Sequence, residues 1–246
     1  MKVFIRLGFG FIAYVPFMLR DRSFTVRSTM MPLHLVRAGI TLSAMLCTYY
    51  AYANLPLTTA TSLGFSGPFF TFLLSGLFLK ERLGLQKVLW LCVGYVGVLI
   101  VIRPDVSGLD KGVVASLTAN ALASIGILLA KKISRIDSTS TMLFYSNLIS
   151  FFLAGIVAIP VWVKPNAADL LYLFVMGVCG VSSQFFYLSA LKVTTPTFLA
   201  PFEYSRLLFA IPIGFIFFDH VPDLWMLVGG LVIIVSNYFI NSSSGK

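Results

Sequence analysis

Two ionisable side chains stand three residues apart inside an otherwise apolar run: Glu203 and Arg206, within residues 195–218. A spacing of three puts both on one helical face, and ionisable groups so deep in an apolar segment are costly unless they face a cavity or each other. Two chemistries fit. Either the pair neutralises itself and holds helices together, or it recognises opposite charges, Glu203 receiving an ammonium or sulfonium and Arg206 a carboxylate. A zwitterionic amino-acid group would suit both. Tyr204 sits beside Glu203, and further rings flank this run: Tyr49, Tyr50 and Tyr52 in one apolar segment, Phe185, Phe186 and Tyr187 in another. Such rings stack on flat heterocycles or meet cations through their faces, and they also form belts at membrane interfaces. Ser66, Asn120 and Asn147 either line a pathway or join helices by hydrogen bonds; the second reading is preferred.

The segments that would position these groups are interrupted. Residues 58–79 contain Gly64, Gly67 and Pro68; residues 195–218 contain Pro196, Pro201 and Pro212. Proline removes an internal helix hydrogen bond and bends the axis, and the freed carbonyls are tolerable in a membrane only where they face protein or water. Interrupted spans at matching positions of two halves mark a transporter's binding site, so Gly67, Pro68 and Pro201 are candidate helix breaks or gates. The alternative is a simple packing kink.

Composition sets the surroundings. Of 246 residues, 58% are hydrophobic and 11% charged, with a mean hydropathy of +0.93. A soluble globular domain carries about a quarter charged residues. The chain therefore reads as an all-α, polytopic membrane protein with nine spans of about 20 residues, at 1–19, 33–54, 58–79, 86–102, 111–131, 139–163, 168–190, 195–218 and 223–241. The short connections leave no room for a soluble catalytic domain. The formal charge of +9 does not point to nucleic acid, because the basic residues lie between apolar spans instead of on one soluble face. They sort by side of the membrane. Arg20, Arg22, Arg27, Arg37, Lys80, Arg82, Lys87, Lys131, Lys132, Arg135, Lys192 and Lys246 fall on one side, against Lys2, Arg6, Arg103, Lys111 and Lys164 on the other. By the positive-inside rule the N-terminus is external and the C-terminus cytoplasmic. Arg37 then lies at a cytoplasmic helix end, where snorkelling to headgroups accounts for it, and Glu81, between Lys80 and Arg82, is solvated. Cys47, Cys92 and Cys179 lie within spans in no metal or redox spacing and read as small packing residues.

The two halves echo each other. At a shift of 137, Tyr50, Ala53 and Thr58 fall on Tyr187, Ala190 and Thr195; at 138, Gly76 and Glu81 fall on Gly214 and Asp219. The basic loop at Lys80, Glu81 and Arg82 corresponds to an acidic one at Asp219, His220 and Asp223, as expected if the second copy enters the membrane from the other side. The pairing leaves nothing opposite 111–131, so the expected pattern is four plus five spans, with the opening helix of a ten-helix pattern missing. The first repeat is 1–102 and the second 111–242.

Ordered motifs carry a resemblance: Arg37-Ala38-Gly39, Tyr49 to Ala53, Thr58 to Thr61, Pro68-Phe69-Phe70, Gly94 to Val98, then Ala200-Pro201-Phe202-Glu203-Tyr204-Ser205-Arg206-Leu207 and Phe217 to Asp223. In this the chain resembles the drug/metabolite transporter superfamily, specifically its EamA-type members, with ten helices in two inverted repeats. Met142 to Ser146 and the Ala-Pro-Phe-x-Tyr run look most like the branch containing S-adenosylmethionine uptake carriers. Related branches carry riboflavin, amino acids or metallophores, and Asp219-His220 departs from the glutamate usual there. The resemblance implies a secondary carrier of a small charged or zwitterionic metabolite in the bacterial inner membrane, working by alternating access, without cofactor or metal, with the bilayer and a small molecule as its partners. Glu203, Arg206, Tyr204, Tyr50, Tyr187 and Ser66 are the expected substrate contacts. An enzyme is not expected: there is no His-Glu-x-x-His, Gly-x-Ser-x-Gly or Walker A run. A non-transporting paralogue is a further alternative.

Overall fold

A computed structural model describes residues 2–79, 84–103, 110–159, 165–218 and 224–242. Glu81, Asp219, His220 and Asp223 lie outside the described residues. Every described element is helical: α1 (Lys2–Arg20), α2 (Met31–Asn54), α3 (Leu57–Gly64), α4 (Gly67–Leu79), α5 (Leu85–Ile102), α6 (Lys111–Ile133), α7 (Thr139–Ala158), α8 (Ala167–Val193), α9 (Pro196–Leu199), a 3-10 turn (Ala200–Tyr204), α10 (Ser205–Phe218) and α11 (Leu224–Ser242). Among the described residues 7 helices, counting Thr59–Leu79 as one, are long and apolar enough to cross a membrane. The protein is a polytopic helical membrane protein.

Local sequence explains many helix ends. Ser138 caps α7 by accepting from the Thr141 amide at 3.1 Å. Asn166 and Asp169 form a reciprocal box at the start of α8, with the Asp169 amide donating to Asn166 at 2.7 Å. Lys131 donates to the carbonyls of Leu191 and Thr194, both at 2.7 Å, so a side chain read as a cytoplasmic charge also closes the C-terminus of α8. Arg103 ends α5 in the left-handed region at φ 45°.

The chain divides into two compact units, Met1–Ser43 with Leu129–Thr195, and Ala44–Leu128 with Pro196–Lys246. Two of the three boundaries fall within α2 and α6 and the third between α8 and α9, so each unit draws on both sequence halves. The first unit is organised by α1, α7 and α8. A Cβ at Gly10 would lie 2.8 Å from the Gly177 carbonyl oxygen, and one at Gly177 2.6 Å from that of Arg6, so only glycines allow α1 and α8 to approach so closely. The second unit uses the same device. A Cβ at Gly229 of α11 would lie 2.7 Å from the Gly97 carbonyl oxygen of α5. Its core is Phe65, Phe72, Leu91, Val98, Tyr204 and Ile233.

The run 195–218, expected to be interrupted, divides into α9, a 3-10 turn and α10. One sequence reading is corrected. The cysteines are free, as expected, but Cys92 and Cys179 are exposed; they lie on outward faces of α5 and α8 and do not pack inside.

Candidate functional site

Both interrupted segments of the second unit are true breaks in helix geometry. At the first, the Phe65 amide reaches both Thr61 and Ser62 carbonyls at 3.1 Å, and the Ser66 amide reaches Leu63 at 2.9 Å. Pro68, the second residue of α4, has no amide hydrogen and cannot continue α3. The backbone groups exposed there are met by α6: Asn120 Nδ2 donates to the Leu63 carbonyl at 2.7 Å and to Ser66 Oγ at 3.0 Å, and Ser124 Oγ donates to the Gly67 carbonyl at 3.4 Å. Ser66 is thus an interhelical hydrogen-bond partner, and Gly67 leaves ordinary contact distance for Asn120, whose Oδ1 would lie 3.6 Å from a Cβ there. At the second break Pro201 occupies the first turn of the 3-10 segment, and Ser205 Oγ donates to the Phe202 carbonyl at 2.5 Å.

That 3-10 turn carries the charged pair. Tyr204 points inward: it is fully buried against Phe65 and Gly94, and its hydroxyl has no hydrogen-bond partner among the described residues. It is a core ring, not an open ligand contact. Arg206 lies over the face of Phe65, 4.1 Å from the ring centroid, a cation–π placement. Glu203 and Arg206 form no ion pair within 4.0 Å among the described residues, so the self-neutralising pair is not made. The guanidinium is instead at the face of the Phe65 ring. Both side chains keep their hydrogen-bonding capacity, and Arg206 still acts on Glu203 electrostatically. Tyr50 is exposed on α2. Tyr187 is half-buried on α8 and belongs to the first unit.

The first unit contains polar chemistry that sequence reasoning missed. Asp21, just after α1, accepts from the Ser23 amide at 2.8 Å and from its hydroxyl at 2.7 Å. It also accepts from the Ser140 hydroxyl, which leaves Tyr14 to donate its own hydroxyl to Ser140 at 2.9 Å. The Ser140 hydrogen bond, then those from Ser23, hold the Asp21 carboxyl below its ordinary range, so it stays ionised. Beside it is a cavity of about 380 Å³ lined by Tyr14, Phe17, Phe185 and Phe186, with Asp21, Ser140 and Ser182. A turn deeper, Asp137 accepts from Ser28 at 2.6 Å and pairs with His34 Nε2 at 2.7 Å. The Tyr145 hydroxyl donates to the Val26 carbonyl, and Thr141 bonds the backbone of Thr25 through its carbonyl and amide, at 3.0 and 3.2 Å. The available signal was the Asp137-Ser138-Thr139-Ser140-Thr141 run at a helix start. Arg37 is also corrected. It is 6% exposed, so its side chain is packed within protein instead of extending along the surface as a snorkelling side chain would.

Comparison with known proteins places this architecture. The profile of the EamA-like transporter family matches residues 1–103 and 110–242. The chain is 28% identical over 243 residues to the S-adenosylmethionine uptake transporter of Rickettsia felis, covering 99% of this chain and 83% of that one. It is 28% identical over 241 residues to the pseudopaline exporter CntI of Pseudomonas aeruginosa, covering 95% and 83%. A solved crystal structure shares the fold with a TM-score of 0.85 at 15% identity, over 98% of this chain and 86% of its own. The charged, broken segments therefore lie in a transporter scaffold, and the chain belongs to the EamA-like transporter family.

Proposed function

We propose that this protein is a secondary carrier of a small charged or zwitterionic metabolite, with an S-adenosylmethionine-like compound as the leading substrate. It works by alternating access in the bacterial inner membrane, through nine spans in two inverted repeats, 1–102 and 111–242, with the N-terminus outside and the C-terminus in the cytoplasm. The observation that carries the substrate class is the pair Glu203 and Arg206. Both are ionisable, both sit at a helix break in an apolar segment, and neither is neutralised by the other within 4.0 Å. A sulfonium or ammonium would complete the carboxylate, and a carboxylate would complete the guanidinium. The broken segments at Gly67, Pro68 and Pro201 supply the positions where backbone torsions can change. Similarity to the S-adenosylmethionine uptake transporter of Rickettsia felis supports the compound.

The test is uptake of labelled S-adenosylmethionine into cells making the protein, with unlabelled riboflavin and amino acids as competitors. Glu203→Gln and Arg206→Gln abolish accumulation while their amounts in the membrane stay at the wild-type level. Normal uptake by both variants removes the site assignment. Similarity to the pseudopaline exporter favours a second reading, in which a small metabolite leaves the cell; retention of preloaded label by the same variants distinguishes it.

A further inference from the structure

Arg37 is the most unusual charge in the first unit. It lies in the second turn of α2 with 6% of its surface exposed, and its Nε and Nη1 are buried without a hydrogen-bond partner among the described residues. No described acid pairs with it within 4.0 Å. The acid of this cluster, Asp137, is turned instead to His34 and Ser28, at 2.7 and 2.6 Å. His34 precedes Arg37 by three residues, on the same helical face, and its Nδ1 is likewise buried and unpartnered. Removing a guanidinium from water without an anion or acceptors is strongly unfavourable. Two orphaned guanidinium nitrogens on one buried side chain are hard to explain as packing alone.

We propose that Arg37 is the centre of an oxyanion site that takes a carboxylate or phosphate group, with His34 at its margin. A guanidinium presents two planar edges, one made of Nε and Nη2 and the other of Nη1 and Nη2, and each matches an oxyanion in a bidentate fashion. Each edge of Arg37 includes one of its two orphaned nitrogens. The oxyanion is either a soluble anion or the phosphate of a lipid headgroup. The site is independent of Glu203 and Arg206, which belong to the second unit, so it stands or falls separately from the transport reading.

The experiment is thermal unfolding of the purified full chain in maltoside detergent. Sodium phosphate, sodium acetate and phosphatidylglycerol mixed micelles are each titrated against sodium chloride at matched ionic strength. The wild-type midpoint rises saturably, by about 3 °C. The rise is lost in Arg37→Gln and requires about tenfold more ligand in Arg37→Lys, whose ammonium cannot bind bidentately. A rise with phosphate or acetate identifies a soluble oxyanion, and a rise with phosphatidylglycerol alone identifies the headgroup. No wild-type response to any probe overturns the site, as does an equal response to chloride or an undiminished response in Arg37→Gln. Should Arg37→Gln not fold, an Arg37→Lys titration identical to wild type overturns it equally.

Discussion

The two compact units pack helices by the same means and treat their acids in opposite ways. Each brings a helix pair together through facing glycines, Gly10 with Gly177 in the first and Gly97 with Gly229 in the second. In the first unit, acids meet donors from distant segments: Asp21 with Ser140, and Asp137 with His34 and Ser28. In the second unit, Glu203 has no hydrogen bond or ion pair among the described residues, and Arg206 rests on an aromatic face. Satisfied polar groups stabilise a structure and fix its arrangement. Unsatisfied ones weaken it and are retained where a ligand completes them. The same fold thus holds a polar knot whose groups are satisfied and a helix break whose charges are not paired with each other.

The largest expected effect breaks the knot. Asp137→Ala removes the acceptor of both His34 and Ser28 in a buried setting and lowers stability by about 3 kcal/mol, read as a fall in the thermal midpoint of the purified protein. Arg206→Gln, measured alongside, changes the midpoint little while abolishing uptake. If the two variants destabilise equally, the contrast between the units disappears. An intermediate effect comes from the first break of the second unit. Asn120→Ala leaves the Leu63 carbonyl and Ser66 hydroxyl without their α6 donor and costs about 1–2 kcal/mol. Asn120→Asp restores volume but not the donated hydrogen bonds, so a fully stable Asn120→Asp would show that the break needs no donor.

The smallest effect sharpens the comparison through pH. The Asp21 carboxyl is held below its ordinary range by Ser140 and Ser23. Its contribution is therefore present above the unfolded carboxylate value, about pH 4, and is lost as pH falls through the lower folded value. Asp21 is largely solvated, so the loss is small. Unfolding midpoints between pH 3 and 6 should show a shallow acid limb in wild type that Asp21→Asn lacks.

Much of the fold was legible because its causes are local. Apolar length predicts the spans, and the helices start or stop within a few residues of the expected ends: Leu85–Ile102 for 86–102 and Lys111–Ile133 for 111–131. Proline chemistry is local as well, so Pro68 and Pro201 mark breaks without any knowledge of neighbours. The candidate site was legible only in part. Spacing placed Glu203 and Arg206 on one face, but the guanidinium is at the face of Phe65, a residue distant in the chain. Tyr204 was expected as a substrate contact beside an acid; its ring is buried in the core, where α5 is glycine at Gly94 and leaves room for it: a Cβ there would meet Tyr204 Cδ2 at 2.9 Å. Nothing in the run around Arg37 distinguishes a snorkelling side chain from an enclosed one.

The amino-acid sequence by itself determined that this is a helical membrane protein, that its segments break near Pro68 and Pro201, and to which transporter family it belongs. These follow from hydropathy, residue type and motif order, each readable within a short window. The tertiary structure alone decided which polar groups are satisfied. His34 and Asp137 meet across 103 residues, and Ser66 meets Asn120 across 54. Hydrogen bonds act over about 3 Å whatever the separation along the chain, so only the folded arrangement sets apart a charge such as Asp137, which meets His34 and Ser28, from one such as Glu203, which meets no partner among the described residues.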